Sequence, residues 1–387
     1  MWSRNFLLFK RKRNFLKRIQ GRKLCKMSMK DFSLSYFHSM QALTFAGVEK
    51  IVHQSVPDPG ILQDTDAIVQ ITLSGICGSD LHVYHGREAG LDNGTVMGHE
   101  FVGTVIESGA GVKKFKKGNR VLSPFTTSCG ECFYCRIGLT CRCEKGNLFG
   151  WVQAGHGLHG AQAEYIRVPM ADTTLISLSN DLSEEKGLLL GDIFSTGYFC
   201  AENAGVNREG VNVVIGCGPV GLMTIVAARH LGSKNLFAID FSNERLQMAK
   251  EFGAVPLDPL SVDINTAILN ATNGRGADAV MEVVGSSDAL RLAIDLLRPG
   301  GTISSVGVHT AQHFSFSPGE AYDKNIIYKI GRCPAHYYAE KLLKEEVIQQ
   351  YPVERIITHR FDLERGAAAY DTFDKKLDNC IKAILYP

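Results

Sequence analysis

Val211-Asn-Val-Val-Ile215-Gly216-Cys-Gly218-Pro-Val-Gly221 decides how this chain folds. A short β-branched run enters a glycine turn, and the residues that follow to Leu231 carry helical spacing. Asp240 stands nineteen residues after Gly221, at the end of the apolar run Asn235-Leu-Phe-Ala-Ile239. Gly216, Gly218 and Gly221 allow a tight turn, close approach of the backbone to a pyrophosphate and close helix packing, and the helix N-terminus faces the phosphates. Asp240 can accept hydrogen bonds from the adenosine ribose while repelling a 2′-phosphate, so NAD is favoured over NADP.

The same alternation continues outward. Strands are expected at 211–215, 235–239, 279–284 and 301–306, with helices at 219–231, 244–252 and 287–297. A run of βαβ units makes a doubly wound parallel sheet. Before it, residues 40 to about 176 consist of short β-branched runs broken by glycine, such as Ala67-Ile-Val-Gln-Ile-Thr-Leu73, and predict a β-rich domain. After it, residues 351–387 return to short mixed elements and are expected to fold back onto that first domain.

Of the 387 residues, 45% are apolar and 21% charged, which excludes disordered, collagen-like and membrane classes. No apolar run approaches the roughly 18 residues of a membrane span. The charge is uneven. Residues 1–30 hold eleven Lys or Arg and no acid, leaving thirty-one bases against forty acids in the remainder. This arginine-rich tail, interspersed with Trp2, Phe6, Leu7, Leu8, Phe9, Phe15, Leu16 and Ile19, reads as a mitochondrial presequence addressed to the matrix. A basic binding arm and an inert extension of a cytoplasmic protein are the alternatives.

Five of the eleven cysteines fall between Cys129 and Cys143. Cys129, Cys132, Cys135 and Cys143 offer four soft ligands in one loop, as a closed tetrahedral zinc site needs, with Cys141 open as an alternative fourth ligand. A redox switch is the rival. The loop carries only Arg136 and Arg142, fewer basic residues than a nucleic-acid reader needs, so no nucleic-acid partner is expected. A second group is dispersed: Cys77-Gly-Ser79-Asp80-Leu-His82, then His99-Glu100, then Asp192 ahead of Thr196. Cys77, His99 and Asp192 together would give a second zinc three protein ligands and an open position, where a metal polarises an alcohol as a Lewis acid.

At these three groups the sequence resembles the medium-chain zinc alcohol dehydrogenase family, over essentially all of residues 40–387. The resemblance implies a GroES-like β-rich catalytic domain split around an inserted Rossmann domain: residues 40–192 and 336–387 catalytic, 193–335 binding NAD, and 1–39 an extension. It implies two zinc ions per subunit and hydride transfer between a small alcohol and NAD. It also makes Glu100 a carboxylate that can approach the metal, Ser79 the start of a proton relay ending at His82, and Asp80 the residue orienting His99. Thr196, Val306 and Val308 become nicotinamide-side contacts, Arg245 a neighbour of the ribose, and Lys382 a pyrophosphate contact. The partners implied are a small-molecule alcohol or aldehyde and further copies of the chain, as a dimer or tetramer.

Two departures bear on the substrate. Many members carry cysteine where this chain has Asp192, an arrangement similar to the formaldehyde-dehydrogenase-like branch and to some secondary alcohol dehydrogenases. Gly78 follows Cys77 where some members place an arginine or histidine on the pyrophosphate. A polyol or amino-alcohol substrate and a non-catalytic NAD-binding relative are the competing expectations.

Overall fold

A computed structural model describes residues 39–387. The expectations placed on the basic tail lie outside the described residues, apart from its last position, Ser39.

The strands of the cofactor-type sheet run parallel in the order Val255–Leu257, Asn235–Ile239, Val211–Ile215, Ala277–Glu282, Leu297–Ser305, Ile327–Ile330. In chain order this is 3-2-1-4-5-6, the arrangement of a dinucleotide-binding sheet, whose ligand crevice lies where the order reverses. The reversal falls between Val211–Ile215 and Ala277–Glu282, next to the glycine turn. Helices start where the sequence supplies caps: Ser242 accepts from the Arg245 amide and Ser286 from the Ala289 amide. Pro219 occupies the first turn of Pro219–His230, where its missing N–H costs nothing. A Cβ on Gly221 would stand 1.9 Å from the Gly216 carbonyl oxygen, so that helix could not approach the turn with any other residue there.

Sequence periodicity missed two edge strands and the two short helices Ile264–Ala271 and Pro318–Lys324 here. Val255–Leu257 has three residues with a central proline, and Ile327–Ile330 has four, mostly exposed. Neither is long enough to show a period. The helix Ile264–Ala271 is only eight residues long. The third expected strand ends at Glu282 rather than 284, because Val284 and Gly285 turn back to donate to the Glu282 carboxylate.

The other large sheet has seven strands. Ala67–Gly75 pairs antiparallel with Phe101–Ser108 on one side; on the other it meets Tyr165–Val168 along its first half and Lys382–Tyr386 along its second. Arg120–Ser123 with Ile176–Ser177, and Ile357–Asp362, extend it outward. The chain's final strand therefore inserts into a sheet begun three hundred residues earlier. One buried apolar cluster joins the two sheets, running from Leu73, Val102 and Leu122 through Leu188, Leu189 and Phe194 to Val214, Leu222 and Met281. Each such side chain contributes roughly 1.5–3 kcal/mol on burial. Helix Glu184–Gly191 packs on the seven-stranded sheet and helix Ile193–Ala204, capped by Asp192, on the parallel sheet, so Asp192 lies at the joint between them.

Candidate active site

Cys77 ends the loop after strand Ala67–Gly75 and caps the short helix Gly78–Tyr84. His99 and Glu100 immediately precede strand Phe101–Ser108, and Asp192 sits between two helices with φ −138° and ψ −76°. Separate segments thus deliver four groups to one buried point, where a ligand atom of each of Cys77, His99, Glu100 and Asp192 lies within 4.8 Å of the others. Asp192 Oδ2 is 3.4 Å from His99 Nε2 and 3.7 Å from Cys77 Sγ. Tetrahedral ligands at about 2.0–2.3 Å from zinc stand at roughly these separations from one another.

Charge makes the same case. Cys77, Asp80, Glu100 and Asp192 surround a single imidazole. Burial would lower the His99 pKa, yet Asp80 and Asp192 hold it well above the ordinary value. Burial, with Asp192 and Glu100 nearby, pushes the Cys77 thiol up. A pocket this rich in acids and this dry favours a cation, and sulfur, nitrogen and oxygen donors suit zinc. Among the described residues, Asp192 makes no side-chain cap hydrogen bond to its helix, which argues against a purely capping role. Its Oδ1 instead accepts from Thr196 Oγ1 at 3.2 Å.

Around this centre Asp80 Oδ1 stands 3.2 Å from His99 Nδ1, while its Oδ2 accepts from the Cys77 amide at 2.9 Å. One carboxylate therefore fixes two of the converging groups. Gln162 and Tyr370 were missed by sequence reasoning. Gln162 donates to the Gly75 carbonyl at 3.1 Å and to Asp80 at 3.5 Å, and accepts from the Tyr370 hydroxyl at 2.9 Å. Neither lies in a recognisable motif, so nothing local signalled them. Ser79 Oγ is 3.3 Å from His99 Nε2, at the rim of the cluster. His82 Nδ1 is buried without a hydrogen-bond partner, and burial lowers this imidazole's pKa.

Lys382 requires a correction. It is fully buried, and its Nζ donates to the Ile76 carbonyl at 2.9 Å and pairs with the Glu100 carboxylate. The pyrophosphate contact expected of it is replaced by this pair, because an ionised Glu100 at that depth needs a cation beside it.

The residues expected to contact the cofactor lie at the carboxyl ends of the parallel strands. Asp240 accepts from the Cys217 amide at 2.7 Å and the Ser242 amide at 2.9 Å, which draws the acid against the glycine turn. Arg245 Nη1 would lie 3.6 Å from a Cβ on Gly218. Val306 follows strand Leu297–Ser305 and donates its amide to the Glu282 carbonyl at 3.1 Å, and Val308 is partly exposed.

In the cysteine loop, one sulfur from each of Cys129, Cys132, Cys135 and Cys143 lies within 4.8 Å of the other three. Cys141 turns away, its Sγ donating to the Arg332 carbonyl at 3.3 Å. The amides of Glu144 and Cys135 pull the Cys132 thiol down to about 6, whereas burial and the neighbouring Cys132 push Cys135 up to about 12. A shared cation would hold all four as thiolates, and the donor set fits a closed zinc site.

Comparison with known proteins agrees. Residues 63–178 match the alcohol dehydrogenase GroES-like domain family and residues 219–338 the zinc-binding dehydrogenase family. Zinc-type alcohol dehydrogenase B of Aspergillus flavus is 42% identical over 351 residues, which is 89% of this chain and 81% of that protein. The chain belongs to the medium-chain zinc-type alcohol dehydrogenase family. The solved structure of alcohol dehydrogenase TADH from Thermus sp. ATN1 superposes with a TM-score of 0.84 at 37% identity, covering 90% of this chain and 99% of that one. A medium chain reductase/dehydrogenase from Acremonium sp. is 46% identical over 289 residues, covering 72% of this chain and 98% of the relative. As a member of this zinc-type alcohol dehydrogenase family the protein is a zinc-dependent oxidoreductase acting on alcohols, with a GroES-like and a Rossmann-type domain. Among the described residues, no helix is long and apolar enough to cross a membrane.

Proposed function

We propose that the protein oxidises a small alcohol, or the hydrated or adduct form of formaldehyde, with NAD, or reduces the corresponding carbonyl with NADH. The observation that carries this reading is the convergence of Cys77, His99 and Asp192 into one donor set, together with the Asp240 acid clamped against the glycine turn. Cys77, His99 and Asp192 would hold the catalytic zinc, and Cys129, Cys132, Cys135 and Cys143 the structural one. Zinc would supply Lewis acidity toward the substrate oxygen.

The chain's own residues do the rest. Asp80 holds the His99 ring and the Cys77 backbone in place. Ser79 takes the proton of the substrate hydroxyl, and His82, kept neutral by its lowered pKa, receives it at the end of a relay. Glu100 contributes a further carboxylate whose charge Lys382 balances. Asp240 disfavours a 2′-phosphate, which supports NAD over NADP. The Asp192 ligand supports the formaldehyde-dehydrogenase-like branch or a secondary alcohol. We further propose that the enzyme works as a dimer or tetramer, and that the basic residues 1–39 direct it to the mitochondrial matrix.

A spectrophotometric panel tests the reaction: ethanol, 2-propanol, formaldehyde, sorbitol and threonine, each with NAD and with NADP. The expected result is NADH formation with the small substrates and little with NADP. Turnover confined to sorbitol or threonine would replace the substrate assignment.

A further inference from the structure

Glu282 ends the fourth strand of the parallel sheet, and its carboxylate is fully buried. Oε1 accepts from the Val284 amide at 2.8 Å and the Gly285 amide at 2.7 Å. Oε2 lies 2.5 Å from Ser305 Oγ and 2.9 Å from His309 Nε2, which is also 3.0 Å from Ser305 Oγ. A carboxylate only accepts, so His309 Nε2 is protonated and donates. The His309 side chain is 15% exposed.

This carboxylate clips two turns together at the mouth of the crevice. A Cβ on Gly307 would stand 2.1 Å from the Gly285 amide nitrogen, and one on Gly285 would stand 2.5 Å from the Val308 carbonyl oxygen. The two backbones therefore touch directly, with no side chain between them to set their spacing. Glu282 sets it from below: its Oε1 orders the 284–285 turn, and its Oε2 orders Ser305 and His309, which bracket Val306, Gly307 and Val308. A buried carboxylate stripped of one charge-assisted donor reorients, and both turns depend on it.

We propose that His309 is a positioning residue for the nicotinamide end of the cofactor, holding the 306–308 segment against the 284–285 turn through Glu282. This rests on the reading that 306–308 face the nicotinamide. The mechanism gives His309 no part in proton transfer, and it touches neither zinc site.

The test compares His309→Ala, which removes the donor, with His309→Gln, which keeps an N–H of similar reach. Amide hydrogen exchange reads residues 306–308 in the zinc-loaded protein without cofactor, and fluorescence titration with NADH and NADPH reads binding. In the alanine variant, exchange at 306–308 should quicken, and dinucleotide binding and the KM for cofactor should worsen about tenfold. The KM for alcohol and the zinc content should hold, and glutamine should restore most of the loss. Should alanine fail to fold, His309→Leu takes its place with the same expectations. Unchanged exchange, unchanged binding, or equal losses with alanine and glutamine would each overturn the proposal. A wild type that binds neither dinucleotide overturns the cofactor reading and this inference with it, and is told apart because it appears in the wild-type titration alone.

Discussion

Asp192 Oδ2 meets Cys77 Sγ at 3.7 Å although the two residues stand 115 positions apart in the chain. A carboxylate placed so, with Thr196 on its other oxygen, is positioned for the ligand role we propose for it. Asp192→Asn should lose one of two zinc ions and lower turnover on the order of 100-fold or more, beyond what loss of an orienting partner costs. Asp192→Cys should keep zinc and part of the activity, since thiolate has the same charge but a bond of about 2.3 Å against roughly 2.0–2.2 Å. Metal analysis of both variants decides it; an asparagine enzyme with full zinc and wild-type turnover would leave Asp192 a mere helix start.

Cys132→Ser should remove the other zinc and lower the melting temperature while the catalytic metal stays. The Cys132 thiol is the one the backbone draws down to about 6, so its loss takes the readiest thiolate from the loop. Zinc stoichiometry together with calorimetry checks this, and the Cys141 thiol, committed to Arg332, should not substitute.

Asp240→Gly combined with Phe241→Arg should move cofactor preference toward NADP. Phe241 is 70% exposed beside the acid, so an arginine there has room to meet a phosphate. The ratio of kcat/KM for the two cofactors is the measurement. A ratio that stays put removes Asp240 from the ribose.

For His82 the sign follows from burial. Its pKa lies below the ordinary value of about 6.5, so the base is neutral at pH 7 and protonates only on acidification. Wild-type kcat/KM should therefore fall only below about pH 6.5 through this group. His82→Gln should cost about 100-fold near pH 7, lose that acid limb, and recover as pH rises and solvent base replaces the relay. A pH profile unchanged by the substitution would remove His82 from the proton path.

A fluorescent protein fused behind residues 1–39 should enter mitochondria, and the enzyme starting at Met40 should keep its activity. A diffuse cytosolic signal would reduce the basic tail to an extension.

How much of this was legible beforehand depends on whether a signal is local. The glycine turn, the cysteine loop and the strands around 211–215 and 235–239 each show themselves within fifteen residues, because backbone sterics and ligand spacing act at short range. Cys77, His99 and Asp192 were separately ambiguous and became a site only as a set. What the sequence concealed was contact between distant segments. Gln162 reaches Asp80, Tyr370 reaches Gln162, and Lys382 reaches Glu100, all through tertiary packing that leaves no periodic trace. The Lys382 error shows the difference: a residue type suited to phosphate was in fact needed to neutralise a buried acid.

The position of Lys382 also sets a timetable. All strands of the parallel sheet have been made by Ile330, but the seven-stranded sheet cannot close until Lys382–Tyr386 leaves the ribosome. At roughly 5–20 residues per second, the nucleotide half would lead the metal half by a few seconds. During that interval Glu100 has no ammonium beside it and Ile76 no donor on its carbonyl, so the pocket that gathers Cys77 and His99 is unfinished. A nascent chain that stalls before Lys382 would carry every strand of the parallel sheet while Glu100 and the Ile76 carbonyl still lack their partner.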